Sequence, residues 1–286
     1  MTRIVHVNGR FLPETEAVVS VFDRGFLMAD AVYEVTAVLD GRLCDFSGHL
    51  ARLRRSLDEL GIANPMDESE WLALHRELVA RNGLVEGLVY LQVSRGSAGD
   101  RDFVFPPEGT PPTVVLFTQA KPQLVDNPQA KKGLRVISLE DLRWARRDIK
   151  TVQLLPSSLA KMQAKAAGVD EAWFVQDGFV TEGTSNNAHI VLGDRLVTRP
   201  RTNEILHGIT RASVLQLAAE AGLMVEERPF SVPEAQSADE VFITSASSFV
   251  IPVIELDGVA IGTGHVGPLA VKLREIYVEA LRRTAL

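Results

Sequence analysis

Five tight-turn dipeptides constrain the fold of this chain more than any other feature of its sequence. Each pairs glycine with asparagine or aspartate between short runs of apolar or β-branched residues, a pattern typical of two-residue hairpin loops. They are Asn8-Gly9, Asp40-Gly41, Asp177-Gly178, Gly193-Asp194 and Asp257-Gly258. Because a two-residue loop joins antiparallel strands, the sequence predicts antiparallel pairing in both halves of the chain.

Apolar and β-branched runs around these turns predict the strands themselves. In the first half the predicted strands are Ala17–Phe22, Val32–Leu39, Leu88–Ser94 and Thr113–Thr118. In the second half they are Leu134–Ser138, Glu171–Val175, Ile190–Leu192, Glu240–Thr244 and Val250–Glu255. Both halves are therefore expected to contain a sheet.

Helical periodicity predicts several helices among these strands. In Gly48–Gly61 leucines recur at helical spacing at positions 50, 53, 57 and 60, which leaves Arg52 on another face. The other predicted helices are a stretch capped by Asp67 or Ser69 that ends at Arg81, and Ser157–Ala167, Thr210–Ala221 and Pro268–Arg283. Helices mixed with antiparallel-rich sheets predict an α+β fold.

A break in the pattern predicts where the domains divide. The stretch from Gln119 to Gly133 carries two prolines and three lysines and shows neither strand nor helix periodicity. We interpret residues 120–133 as a linker between a smaller N-terminal domain, residues 1–119, and a larger C-terminal domain, residues 134–286. A chain of 286 residues is long enough for two such domains.

Bulk properties exclude several classes of partner. The net charge of −7, from 30 basic and 37 acidic side chains, argues against general nucleic-acid binding. Cys44 is the sole cysteine, so no internal disulfide can form, which fits a reducing cytoplasm. Met1–Pro13 has no secretion-signal pattern, no apolar run is long enough for a membrane span, and the histidines show no metal-ligand spacing.

Four polar segments of the second half have residue types suited to catalysis. A lysine that forms an imine must be neutral, and the positive charge of Arg146 and Arg147 favours a neutral amine at Lys150. Glu182 lies in a loop of small polar residues, Thr181–Asn187. A third segment, Leu206–Arg211, opens a helix whose free N–H groups at Ile209 and Thr210 suit an anion. The fourth, Thr244–Ser248, follows an apolar strand and suits a second side of a phosphate site.

Each segment also has a plain structural interpretation. The lysine segment can be a solvated basic turn, the Glu182 loop an exposed loop, and Thr210 an ordinary N-cap. The serine segment can be a polar turn, and Arg52 can belong to a solvated helical face. Taken singly, none of the four segments establishes a function.

Their order along the chain resembles one family. The succession RRDIK, TEGTSNN, ILHGITR and ITSASS resembles the class IV aminotransferases, which are the fold-type IV pyridoxal 5′-phosphate (PLP) enzymes. The segments VFDRGFLMADAVYEV, GHLARL and LVYLQVSRG match the same family. The resemblance covers nearly the whole chain and is closest to the D-amino acid (D-alanine) transaminases.

The resemblance implies a role for each candidate residue. Lys150 would hold PLP as a Schiff base and move the proton, and Glu182 would pair with the pyridine nitrogen. Phosphate contacts are implied for Arg52, for the Ile209 and Thr210 backbone, and for the Ser245-Ala246 turn. Leu206 would pack on the ring, Tyr33 would bond near the cofactor oxygen, and Arg147 would be an extra contact. A homodimer is also implied, with His49 and its neighbours near the partner subunit.

Substrate residues follow the family pattern less closely. The family binds the substrate carboxylate with a tyrosine, for which Tyr33 and Tyr90 are candidates, and with an R-x-H segment. Arg101 matches the arginine, whereas Phe103 occupies the histidine position. Ser185 is a further substrate-binding candidate. At the phosphate turn Ala246 replaces the family threonine, which removes one hydroxyl.

These matches predict a transaminase that exchanges an amino group between a D-amino acid and a 2-oxo acid. Because Phe103 removes one charge-assisted hydrogen bond, worth about 1.5–3 kcal/mol, we expect a looser carboxylate site and side activity on (R)-primary amines. Three alternatives stay open: a branched-chain L-amino acid aminotransferase, an aminodeoxychorismate lyase-like enzyme, and a non-catalytic domain of the same fold.

Overall fold

All five predicted hairpin turns join neighbouring antiparallel strands in the computed structural model, which describes residues 2–286. The first turn shows why its residues suit the position. Asn8 and Gly9 both adopt positive φ, 46° and 82°, as a turn of the type that matches strand twist requires, and asparagine and glycine tolerate this at low cost. The turn chemistry therefore fixes the register of each hairpin.

The chain divides into two compact units. The first contains Met1–Pro122, Ile149–Gln153 and Thr284–Leu286, and the second contains Gln123–Asp148 and Leu154–Arg283. Eight helices and fifteen strands are distributed over the described residues, which confirms the mixed α+β class.

The first unit is built on a six-stranded sheet, all of whose strand pairs are antiparallel. Its order is β2-β1-β6-β5-β3-β4, with β1 Ile4–Val7, β2 Arg10–Pro13, β3 Ala31–Leu39, β4 Arg42–Leu43, β5 Gly87–Ser94 and β6 Thr113–Ala120. The helices are α1 Arg24–Met28, α2 Phe46–Leu60 and α3 Glu68–Arg81. The leucine stripe of α2 is buried in the core, whereas Asp67 caps α3 in a capping box with Glu70.

The prediction of a strand at Ala17–Phe22 is wrong. These residues form no strand, and Val18, Val19, Val21 and Phe22 are exposed. A run of apolar residues becomes a strand only if a neighbouring backbone supplies ladder hydrogen bonds. The edge strand β2 ends at Pro13, before this run begins, and the run pairs with no other strand.

The second unit is built on a nine-stranded mixed sheet. Its main order is β12-β11-β10-β13-β14-β7-β8-β9, with β15 on β14. The strands are β7 Leu134–Glu140, β8 Glu171–Gln176, β9 Phe179–Gly183, β10 Asn187–Leu192, β11 Arg195–Thr198, β12 Met224–Glu227, β13 Glu240–Ser245, β14 Phe249–Leu256 and β15 Val259–Ala260. The helices are α4 Pro128–Lys132, α5 Leu155–Ala166, α6 Ile209–Glu220, α7 Val232–Gln236 and α8 Pro268–Thr284.

Two features of this unit go beyond the sequence prediction. Three strand pairs are parallel: β7 with β8, β7 with β14, and β11 with β12. Two-residue turns do not predict such pairs, because parallel strands need longer connections. The predicted linker range also contains α4, whose N-cap Asn127 accepts from the Gln129 N–H.

Across residues 2–286 no helix is both long enough and apolar enough to cross a membrane.

Candidate active site

Lys150 is held at the first unit's sheet by its own backbone. The Tyr33 N–H donates to the Lys150 carbonyl at 3.0 Å, and Val32 and Thr151 form an antiparallel bridge. The Lys150 N–H donates to Ser56 Oγ at 3.3 Å. The segment Ile149–Gln153 therefore lies along β3 like a short extra strand, which leaves the side chain to be directed by a fixed backbone.

The environment of Lys150 distinguishes it from every other lysine. The sequence has seven lysines, all within the described range, and six of them are exposed whereas Lys150 is half-buried. Its Nζ lies 4.2 Å from the centroid of the Tyr33 ring. Partial burial and contact with an aromatic ring therefore set Lys150 apart from the other lysines.

Aromatic rings extend away from this amine across the sheet. Tyr33 stacks on Tyr90 with ring centroids 5.6 Å apart, and Tyr90 stacks on Phe117 at 4.7 Å. The Tyr90 hydroxyl donates to Gln92 Oε1 at 2.8 Å, and burial, together with nearby Tyr33, raises the pKa of Tyr90. Of the two tyrosines proposed from the sequence, Tyr33 therefore contacts Lys150, and Tyr90 stacks on Tyr33.

Arg52 belongs to a buried ionic cluster of the same unit. Its Nε and Nη2 donate to the two oxygens of Glu34 at 2.8 and 2.7 Å, and His49 Nδ1 lies 2.8 Å from Glu34 Oε2. Burial alone would raise the pKa of Glu34. The charge and hydrogen bonds of Arg52 and the contact with His49 outweigh burial, so the pKa lies well below its usual range. The interpretation of Arg52 as part of a solvated face is therefore wrong.

Glu182 is buried in the second unit, with 4% exposure, and both of its oxygens are hydrogen-bonded. Arg143 Nη1 donates to Oε1 at 2.6 Å. Asn187 Nδ2 and the Leu206 N–H both donate to Oε2 at 3.0 Å. Burial raises the pKa of Glu182 although the Arg143 charge opposes this. An exposed loop, the alternative interpretation of Glu182, is excluded.

The arginines next to Lys150 in sequence have carboxylate partners. Arg146 donates through two nitrogens to Asp148 at 3.0 and 3.1 Å. Arg147 Nε lies 3.4 Å from Asp141 Oδ2, and its Nη1 donates to Gln176 Oε1 at 2.7 Å. The positive field expected from these two arginines is therefore largely cancelled by Asp148 and Asp141.

Asn187 connects Glu182 to the start of helix α6. Its amide also donates to the Leu206 carbonyl at 3.0 Å, and a Cβ on Gly208 would clash with Asn187 Oδ1. Gly208 is the N-cap and provides no side-chain hydrogen bond, so Thr210 is not the cap. The N–H groups at the start of α6 therefore stay without a side-chain cap, as an anion site requires.

The serine turn after β13 is linked to the same helix end. The Ser245 hydroxyl lies 2.7 Å from Ser248 Oγ and 3.3 Å from Ser247 Oγ, whereas Ala246 contributes backbone only. Phe249 pairs with Ser245 across this turn, and its ring packs edge-on against Tyr277. The Tyr277 hydroxyl donates to Thr210 Oγ1 at 3.3 Å. One side chain thus ties both candidate phosphate segments together.

The candidate substrate residues are mostly solvent-exposed. Arg101 is exposed, its guanidinium lies 4.9 Å from the centroid of the Phe103 ring, and Phe103 is 78% exposed. Arg24 Nη1 donates to the carbonyl of Asp102 at 2.6 Å, which fixes the backbone between Arg101 and Phe103. Ser185 is also exposed. The structure thus brings Arg101 and Phe103 together at the surface of the first unit.

Sequence reasoning missed three residues that hold the predicted ones in place: Glu34, Arg143 and Asn187. Glu34 could have been found, because it is a charged residue inside a mostly apolar strand, and a buried charge needs a partner. Arg143 carries no comparable mark, because its partner Glu182 is 39 residues away.

Comparisons with known proteins agree on one family. The model of the family described as amino-transferase class IV matches residues 31–256. The D-alanine aminotransferase of Bacillus licheniformis is 41% identical over 263 residues, 92% of this chain and 91% of that protein. The D-alanine aminotransferase of Listeria monocytogenes is 36% identical over 277 residues, 97% of this chain and 96% of that protein.

Solved structures agree in fold. The branched-chain aminotransferase of the archaeon Thermoproteus uzoniensis, solved with norvaline, has a TM-score of 0.85 at 26% identity, covering 98% of this chain and 95% of that chain. The branched-chain amino acid aminotransferase of Escherichia coli has a TM-score of 0.92 at 23% identity, covering 98% and 95%. The second likeness shows the fold alone.

Proposed function

The chain belongs to the class IV aminotransferases, and from this premise we propose that it moves an amino group between a D-amino acid and a 2-oxo acid with PLP as cofactor. The observation that carries the proposal is the placement of Lys150, the half-buried lysine whose amine lies against the Tyr33 ring. The D-amino acid class is supported by relatives that are D-alanine aminotransferases at 36–41% identity.

The donor set of the chain fits PLP. The cofactor needs an amine for its aldehyde, a carboxylate for its ring nitrogen and several donors for a dianionic phosphate. Lys150 and Glu182 are proposed for the first two needs. For the phosphate we propose Arg52, the uncapped N–H groups of Ile209 and Thr210, and the Ser245-Ala246 turn, with Leu206 against the ring.

When bound, PLP supplies an aldehyde that takes up the amino group and a ring that withdraws electrons from the substrate α-carbon. The Lys150 Nζ is proposed to take the proton from the α-carbon of the amino donor and, in the half-reaction with the 2-oxo acid, to give a proton to the α-carbon of the acceptor. Tyr33 holds Nζ from one side, so the amine has few orientations to lose in the transition state. Glu182 is proposed to retain a proton at the ring nitrogen through its carboxylate.

Initial rates on paired enantiomers test the proposed donor class. We expect D-alanine or D-glutamate, with a 2-oxo acid acceptor, to react at least about 10²-fold faster than L-alanine or L-leucine. A preference for L-leucine would instead support the branched-chain aminotransferase, which the solved structures of like fold make the second candidate. Release of pyruvate from aminodeoxychorismate with no acceptor present would indicate the lyase.

The substitution Phe103→His is expected to improve use of D-alanine relative to an (R)-amine. It would restore one charge-assisted hydrogen bond to the substrate carboxylate, worth about 1.5–3 kcal/mol, or roughly 10- to 150-fold in kcat/KM. Tyr33, Tyr90 and Arg101 are proposed as the other carboxylate contacts, and Ser185 as a substrate contact. The measurement is kcat/KM for D-alanine and for (R)-1-phenylethylamine.

A matched control for this variant is Phe22→His, which changes another exposed phenylalanine of the same unit. It should leave both kcat/KM values unchanged. Equal changes on both donors in Phe103→His would contradict a role for position 103 in carboxylate binding.

We further propose that the chain forms a cytoplasmic homodimer. On α5, Leu155, Leu159 and Met162 are exposed along one helical face, and in the first unit Val18 and Phe26 are more than 70% exposed. Apolar surface of this kind favours burial against a second copy. Sedimentation at micromolar concentration tests the proposal, and a species of 31.3 kDa would contradict it.

A further inference from the structure

Three donors already occupy the Glu182 carboxylate, which leaves a defined place for a fourth. An ionised carboxylate has about four acceptor positions, two on each oxygen. Asn187 Nδ2 and the Leu206 N–H fill both positions on Oε2, and Arg143 Nη1 fills one on Oε1. The remaining acceptor position is therefore on Oε1, the oxygen that Arg143 contacts at 2.6 Å.

Arg143 cannot easily swing away from this oxygen. Its Nε and Nη2 donate to the two oxygens of Asp141 at 2.9 and 2.8 Å, a forked pair that fixes the plane of the guanidinium. Thr181 Oγ1 donates to Asp141 Oδ2 at 2.7 Å and so fixes the aspartate. The face of the guanidinium lies 4.3 Å from the centroid of the Phe174 ring. Arg143 is thus constrained in its plane and on one face.

The charges of this cluster explain why its geometry matters. The side chains of Asp141 and Glu182 are two buried carboxylates, and Arg143 contacts both of them. Arg147 adds a second positive charge on the Asp141 side of the cluster. If Arg143 lost its charge, burial would favour the protonated form of Glu182, and a protonated oxygen is a donor rather than the acceptor that a ring N–H requires.

We propose that Arg143 is a positioning residue, which keeps Glu182 ionised and directs the remaining Oε1 acceptor position toward the cofactor's ring nitrogen. The inference rests on the proposed function, because it assumes that PLP is the group that Glu182 meets. Asp141 acts one step further out by holding the Arg143 plane.

Cofactor binding without turnover tests the proposal. Cofactor-free protein is titrated, with fluorescence quenching as the readout, using PLP and its 1-deaza analogue, in which carbon replaces the ring nitrogen. The ratio of the two Kd values isolates the ring-nitrogen contact, because every other contact is shared. The wild type should prefer PLP, and Arg143→Met should reduce this preference by about tenfold or more, as far as Glu182→Gln does.

Conservative and matched variants separate positioning from folding. Arg143→Lys should retain part of the preference, because it keeps the charge. Asp141→Asn should reduce the preference although Arg143 is still present, because the forked pair that fixes the guanidinium plane is weakened. The matched control is Arg228→Met, since Arg228 also bridges two carboxylates of this unit, Glu226 and Glu234, near the surface. It should lower the melting temperature only slightly and leave the Kd ratio unchanged.

Steady-state kinetics give a second readout. Arg143→Met should lower kcat for D-alanine by about 10²-fold while KM changes by less than about threefold, because Arg143 does not touch the substrate. A wild-type Kd ratio in both Arg143→Met and Asp141→Asn would overturn the inference and leave the proposed function standing. A wild type that does not distinguish the two ligands would overturn the inference together with the role of Glu182.

Discussion

Replacement of Lys150 by alanine is expected to lower kcat/KM for D-alanine by about 10⁴-fold or more, the scale found when the central group of a catalytic unit is removed. The other six lysines are exposed, so no neighbouring amine shares the environment against the Tyr33 ring. Borohydride reduction followed by peptide mapping should place the cofactor on Lys150 in the wild type and nowhere in the variant. The yellow colour of the purified protein should be lost or should shift as well.

Lys165→Ala is the matched control, because Lys165 is an exposed lysine in the last turn of α5. The Lys165→Ala protein should keep wild-type rates, and borohydride should still trap the cofactor on Lys150. A cofactor trapped on any lysine other than 150, or a Lys150→Ala protein that still transaminates, would contradict the proposed reaction. A wild type that binds no PLP at all would favour a non-catalytic domain of the same fold.

Glu182→Gln is expected to have the second-largest effect, a loss of about 10²- to 10³-fold in kcat. Glutamine is close in size and retains one acceptor oxygen, so Arg143, Asn187 and Leu206 keep much of their packing. Its amide cannot carry the negative charge that retains a proton at the ring nitrogen. The measurement is a single-turnover rate together with the absorbance of the bound cofactor.

Glu240→Gln serves as the control for this second variant. Its carboxylate accepts the N–H groups of Leu269 and Ala270 at 2.9 Å each, so it too is a structural carboxylate of the second unit. We expect a small loss of stability and unchanged kcat. Wild-type kcat in Glu182→Gln would show that the ring nitrogen does not depend on this carboxylate.

Local chemistry explains which parts of the fold were predictable. The hairpins depend on turn residues that accept positive φ, so Asp40-Gly41 or Asp257-Gly258 can be recognised without knowledge of the partner strand. The parallel pairs of the second sheet depend on contacts such as those between β7 and β14, more than 100 residues apart, and leave no local mark. Ala17–Phe22 shows the opposite case, in which strand-like composition lacks a partner backbone.

The candidate site follows the same division. Lys150, Glu182 and the Leu206–Thr210 segment were proposed because a resemblance carries them by position. Arg52 was proposed as a phosphate contact, but its bond to Glu34 was not foreseen, because helix α2 and strand β3 are joined only in the folded unit. Arg143 was missed since its fork to Asp141 looks in sequence like two ordinary surface charges.

The first unit is built from three separate segments of the chain, which limits how early in translation it can be completed. Residues up to Pro122 lack the Thr151 bridge to Val32, and they lack Leu286, whose N–H and carbonyl pair with Leu43 at 3.0 and 2.8 Å. A nascent chain that has left the ribosome only to that point is missing both. The first unit therefore gains the last of these backbone pairs only once residue 286 has been translated, and a fragment ending at residue 122 should show faster amide exchange in β3 than the full chain does.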